Sequence, residues 1–206
     1  MKNWFCIILM IVSLVSMVNA QELDDSSEGE DLRLTVEELD AFKQQALRTV
    51  EDLGTYIKII VDKANSLERK NNNVQLAMAL FATDSNTVEI SSLKTPQKYV
   101  KRIRKYLIAV RDLPYQSVDI TWYGIHLSSE FKKGPDGKYY GTASICQTFE
   151  ATLLGADGAK WPKKKDTTCK NIQLVVEQLN CLDGLKEKKC WVLKLGDIKV
   201  DEQRLN

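Results

Sequence analysis

The chain has 206 residues, 44% of them hydrophobic and 28% charged, with 29 Lys and Arg against 28 Asp and Glu. So even a balance gives no global attraction to nucleic acid, and the length suffices for one domain with a sizeable core. His126 is the single histidine, and after Cys6 no two cysteines lie closer than nine residues, so the pair spacing of zinc sites is missing.

Lys2 and the apolar run WFCIILMIVSLVSMV, ending at Val18-Asn19-Ala20, predict a cleaved export signal over residues 1–20. The run is short for a bilayer span, and no later stretch suits one. The expected location is therefore the periplasm or the extracellular space. There the four cysteines left after Cys6 departs default to disulfides. Residues 21–34, QELDDSSEGEDLRL, are acidic and poor in apolar groups, which predicts a disordered leader. Residues 35–206 then form a single domain.

Thr35 and Glu38 spell a capping box at a helix start. Leu39, Phe42, Ala46, Val50, Leu53, Ile57, Ile60, Ala64 and Leu67 continue at helical spacing, so one long helix is expected, weakened at Gly54. The run Asn71-Asn72-Asn73 is expected to break it, with a short helix over 74–82 after it. TVEIS at 87–91 predicts a short strand. Thr95 followed by Pro96 predicts the start of another helix, with Val100, Ile103, Leu107 and Val110 inward. Lys98, Lys101, Arg102, Arg104, Lys105 and Arg111 would form its basic outer side. That is better read as a solvated face than as an anion site, since no phosphate-cradling glycine loop accompanies it.

From Tyr115 the period changes to two. SVDITWYGIHLSSEF predicts a long strand with Val118, Ile120 and Trp122 on one face. The apolar phase passes to Tyr123, Ile125 and Leu127 beside Gly124, which predicts a bulge and a curl. Gly134-Pro135-Asp136-Gly137 is a turn. KYYGTASICQTFEATLL, DTTCKNIQLVVEQL and KKCWVLKLGDIKVDE predict three more strands. Trp161-Pro162 and the lysines 163–165 suit a loop or a protected edge.

Four cysteines permit three pairings. Cys146 and Cys169 are equidistant from Asp157-Gly158, and Cys181 and Cys190 are symmetric about 183–188, so hairpin geometry favours Cys146–Cys169 and Cys181–Cys190. Strand parity puts all four on the face opposite the apolar one. The fold class is α+β: a long N-terminal helix and shorter helices packed in a curled antiparallel sheet of about four long strands, a cone-shaped roll.

Carried by "LF" before "VEISS", "YLIAVRDL", "VDITWYGIHL", "KGPDGKYYG", "QTF" and "WVLKLGDIKV", the chain resembles the nuclear transport factor two-like, or cystatin-like, superfamily. More narrowly it resembles uncharacterised secreted proteins of that fold in Bacteroidetes-type bacteria. The resemblance spans about residues 35–201. It implies isomerases, dehydratases, hydrolases and cyclases as well as non-catalytic modules, so it does not decide the function. Homodimers across the sheet are a further implication.

Enzymes of that superfamily need an acid or base inside the cone. Gln147, between Ile145 and Phe149, is the clearest inward polar residue and transfers no proton. Asp119, Glu150 and His126 have outward parity, and no nucleophile lies beside a base. No catalytic residue, metal or cofactor is therefore assigned. Tyr56, Trp122, Gln147, Phe149 and Trp191 are the pocket candidates. The expected function is a non-catalytic exported module binding a small apolar ligand or a protein partner at the cone mouth. An isomerase- or hydratase-type enzyme, with Tyr56 or a carboxylate as acid, is the alternative. Protease inhibition is weaker, since the Q-x-V-x-G loop of cystatins is absent.

Overall fold

The structure, a computed structural model, describes residues 33–92, 95–153, 164–184 and 186–204. The chain divides into two units, Met1–Arg33 and Leu34–Asn206. Apart from Arg33 the first lies outside the described residues, with the predicted signal and almost all of the predicted leader. So do the Asp157-Gly158 turn and Trp161-Pro162-Lys163. The second unit holds every described helix and strand. Leu34, assigned to the leader from composition, belongs to its core: the side chain is buried and its N–H donates to Tyr139 Oη at 3.1 Å.

Helix α1 spans Val36–Val61. Thr35 Oγ1 accepts from Glu38 N at 3.2 Å while Glu38 Oε2 accepts from Thr35 N at 2.8 Å, the reciprocal capping box. The apolar stripe from Ala46 through Val50, Leu53 and Ile57 to Ile60 is buried along one face.

The helix stops earlier than expected. Asp62 Oδ1 accepts from Ala64 N at 2.9 Å, and the Asn65 amide donates to Ile59 O at 3.0 Å. Ser66 Oγ then accepts from Arg69 N at 3.2 Å and starts α2, Leu67–Ala79. Short polar side chains thus capture the backbone groups that a continuous helix would use. Ala64 and Leu67 are consequently exposed rather than part of the stripe. The three asparagines sit inside α2 without breaking it. Asn73 Nδ2 donates to Arg69 O at 2.8 Å, and Asn71 Oδ1 accepts from Arg111 at 2.6 Å. Ser66→Ala removes the cap and is expected to lower stability by about 1 kcal/mol. Urea unfolding of the two proteins checks this.

A second correction concerns residues 95–102. Strand β1, Thr87–Ser92, pairs antiparallel with β2, Thr95–Arg102, where a helix was expected. Ile90 lies opposite Tyr99 and Val88 opposite Lys101. Pro96 is tolerated because β2 is an edge strand, and Tyr99-Val100 suits extended backbone. Val100, expected inward, is 62% exposed. Helix α3 is only Ile103–Arg111, and it buries Ile103, Tyr106, Leu107 and Val110.

The remaining strands are β3 Ser117–Lys133, β4 Tyr139–Thr152, β5 Lys164–Asp183 and β6 Lys186–Arg204. The sheet order is β2-β1-β6-β5-β4-β3, with β1 and β6 parallel and the other neighbours antiparallel. Among the described residues the second unit is thus α+β, a curled, unclosed, mixed six-stranded sheet with three helices.

The curl has a local cause in β3. Gly124 has φ +63°, and the β3–β4 register slips between Tyr123 and His126. Ile120 and Trp122 face the core before the slip; Ile125 and Leu127 pack on it afterwards. Tyr123, expected on the apolar face, stands opposite Cys146 and is 47% exposed. At the other end of β3, Gly137 with φ +80° closes the expected turn.

Helix α1 packs on α2 and β3. Val50, Leu53, Ile57 and Leu107 from the helices share one buried cluster with Ile145, Ile172, Leu174 and Leu195 from the strands. Gly54 marks a close approach: a Cβ there would lie 3.1 Å from Trp122 Cε3.

Both disulfides lie on the outer side of the sheet. Cys146 and Cys169 face each other in the β4–β5 ladder, with Cα atoms 4.0 Å apart. Cys181–Cys190 is a diagonal bridge, Cα atoms 5.9 Å apart: Cys181 pairs with Lys188, and Leu179 with Cys190. The hairpin closes at Asp183–Lys186, one residue off the symmetric position.

Candidate functional site

A cavity of about 290 Å³ opens between α3, the β1–β2 hairpin and the inner faces of β3, β4 and β5. Its apolar wall is Ile90, Tyr106, Val110, Tyr115, Ile120 and Phe149. Its polar wall is Gln147 from β4 with Asp166, Thr168 and Lys170 from β5.

Pleating places that polar wall. Gln147 alternates with Ile145 and Phe149 on the inner face, and the β4–β5 register sets Ile145 opposite Lys170, Gln147 opposite Thr168 and Phe149 opposite Asp166. Sequence reasoning missed Asp166, Thr168 and Lys170. Their signal was present: stepping back from the inward Ile172 by twos reaches all three. Inward charge next to a core strand is unusual and needs support from its surroundings.

Lys170 has that support in part. Its side chain is 6% exposed, and its Nζ donates to Gln147 Oε1 at 3.3 Å. The ammonium also stands 5.6 Å from the centre of the Tyr106 ring, a cation–π contact. Trp122 Nε1 donates to the same Gln147 oxygen at 3.1 Å, so two donors fix that amide from opposite elements. Among the described residues no carboxylate forms an ion pair with Lys170.

Asp166 is half-buried, and burial pushes its carboxyl above the ordinary value against the pull of Lys164 and Lys170. Lys164 stands 6.0 Å over the Phe149 ring at the rim. The Ser91 hydroxyl, also in the lining, is buried and has no hydrogen-bond partner among the described residues.

The structure distributes the sequence candidates unevenly. Gln147 and Phe149 line the cavity. Trp122 stands behind Gln147 and seats on Gly54. Tyr56 packs on the core away from the lining, and Trp191 meets Tyr139 edge-on at 5.5 Å, also away from it. His126 is exposed, with Nδ1 2.7 Å from Gly124 O.

The supposed basic helix face does not exist as one surface, because Lys98, Lys101 and Arg102 belong to β2. Lys98 bonds Val200 O at 2.8 Å and pairs with Glu89; Arg104 pairs with Asp84, and Arg111 with Asp112. Among the described residues no group of three or more His, Cys, Asp or Glu side chains could hold a metal ion. No helix among them is long and apolar enough to cross a membrane.

No protein family matches the chain by sequence, and no curated protein does. Solved structures with a similar path include the Kfla4162 protein of Kribbella flavida, 13% identical, covering 80% of this chain and 95% of that one with a TM-score of 0.46. Another is a candidate scytalone dehydratase of Novosphingobium aromaticivorans DSM 12444, 11% identical, covering 82% of this chain and 90% of that one with a TM-score of 0.42. At these scores neither likeness carries weight for the fold or the chemistry.

Proposed function

We propose that residues 34–206 form a non-catalytic binding module, exported to the periplasm or beyond, whose cavity takes a small, largely apolar molecule. One observation carries the reading: a cavity of about 290 Å³ in which an aromatic and aliphatic wall faces convergent polar and charged groups. The two disulfides support export. The order of elements, helices first and the long strands of a curled sheet after, supports a nuclear transport factor two-like roll.

Native mass spectrometry on protein purified from an oxidising compartment tests the reading. A retained mass, released on denaturation, is the expected result. A bare mass, together with no binding of small apolar acids or their amides, overturns it.

Asp166 favours a second reading, an isomerase- or hydratase-type enzyme. A half-buried carboxyl with a raised pKa beside a lysine and an amide is the equipment of proton transfer. The same shift makes a prediction about stability. A carboxyl whose folded pKa lies above its unfolded value of 3.8 costs nothing below 3.8, and the cost grows as pH rises through the folded pKa. Asp166→Asn is therefore expected to stabilise the fold at pH 7 and to leave it unchanged at acid pH. Urea titrations at the two ends read this. Destabilisation at pH 7 would show that Asp166 makes a stabilising contact instead.

A further inference from the structure

We infer that the ligand of this cavity is a small apolar carboxylic acid, bound as its carboxylate with the charge at Lys170 and the hydrocarbon body against Tyr106, Tyr115 and Phe149. The inference rests on the binding reading above and names its ligand class.

A buried lysine with no ion pair among the described residues is the central observation. Lys170 is 6% exposed, and its partners are a neutral amide oxygen and the face of an aromatic ring. Both contacts soften the loss of water, and neither supplies a negative charge. Removing an ammonium from water is costly unless it is paired. Lysines in cores ordinarily meet a carboxylate of their own chain. Here the nearby carboxyl, Asp166, forms no ion pair with it among the described residues; burial raises the pKa of that carboxyl, against the pull of Lys164 and Lys170. A carboxylate brought by a ligand completes the arrangement.

Two further features agree. Lys101 and Lys164 also belong to the lining, giving three lysines against one carboxyl among the described lining residues, a field that draws anions inward. The opposite wall is aromatic and aliphatic, which suits a hydrocarbon body and not a hydrated inorganic ion. A single buried ammonium suits a monoanionic carboxylate, whereas a phosphate dianion needs more donors.

Calorimetric titration of the intact, oxidised protein with matched pairs tests this: benzoate and benzamide, 2-naphthoate and 2-naphthamide, decanoate and decanamide. At least one acid is expected to bind on the order of tenfold more tightly than its amide, the value of a hydrogen bond to a charged group. Lys170→Met should reduce that ratio to about one and leave the amide affinity as it was. Replacing a buried cation by an apolar side chain of similar length is usually tolerated by the fold, and thermal unfolding verifies it. Gln147→Glu supplies an internal counter-ion and should likewise abolish the preference for the acid.

If acids and amides bind equally, or if Lys170→Met leaves the preference intact, the carboxylate inference is wrong while the binding module stands. If neither acids nor amides bind and the native mass is bare, both fall.

Discussion

Replacing Gly54 with leucine is expected to lower stability by about 2–4 kcal/mol, from overpacking plus one lost hydrogen bond. An added Cβ alone would stand 3.1 Å from Trp122 Cε3 and 3.2 Å from Cδ2, already tighter than ordinary contact. The rest of a leucine adds three more carbons beside that indole. If the ring moves, its Nε1 leaves Gln147 Oε1, and Lys170 becomes the remaining donor to that oxygen. Gly54→Ala separates the two effects. Its methyl needs only a small retreat of the ring, and the helix gains up to about 1 kcal/mol of propensity. Alanine should therefore be near neutral and leucine strongly destabilising in urea unfolding. A leucine variant as stable as the parent would mean that Trp122 is not closely seated on α1. The leucine variant should also bind cavity ligands more weakly, because Gln147 is held in place partly by that indole.

Those residues also show what the sequence discloses and what it hides. The capping box at Thr35 and Glu38 and the stripe from Ala46 to Ile60 were legible because helix start and period are local properties. The outward parity of the four cysteines was legible for the same reason. Residues 95–102 were misread because Thr-Pro before an apolar pattern suits a helix start as well as an edge strand. Pairing with β1 decides between them, and pairing is not local. The break at Asp62–Ser66 was hidden by Ala64 and Leu67, which continue the helical spacing without being buried. At the cavity, Gln147 and Phe149 were found because they alternate with the core residue Ile145. Lys170 and Asp166 were passed over because charged residues are normally read as outward. Parity counted from Ile172 was the better guide, and the aromatic ring that shelters Lys170 comes from α3, distant in sequence.

Removing the Cys146–Cys169 bridge as a Cys146→Ala, Cys169→Ala double variant is expected to cost about 3 kcal/mol, the entropy of a loop of that size in the unfolded chain. For a domain this large that is a fall in Tm of roughly 6–12 °C. The residues are separated by 23 positions, against 9 for Cys181–Cys190, so the second bridge should matter less, by about 0.5–1 kcal/mol. The effect should fall on the unfolded state and spare the cavity. Cys146 and Cys169 are one residue from Gln147 and Lys170, yet they project to the other face of the sheet. The ladder that sets Gln147 against Thr168 is made by backbone pairs running from Tyr139–Val176 to Ala151–Lys164, and none of these depends on sulfur. The double variant should thus lose stability while retaining the affinity of the parent for whatever the cavity binds. Thermal unfolding and calorimetry on the same preparation read both quantities. Affinity falling in step with stability would show instead that the bridge holds the polar wall in register, and that the cavity is shaped from its outer face inward.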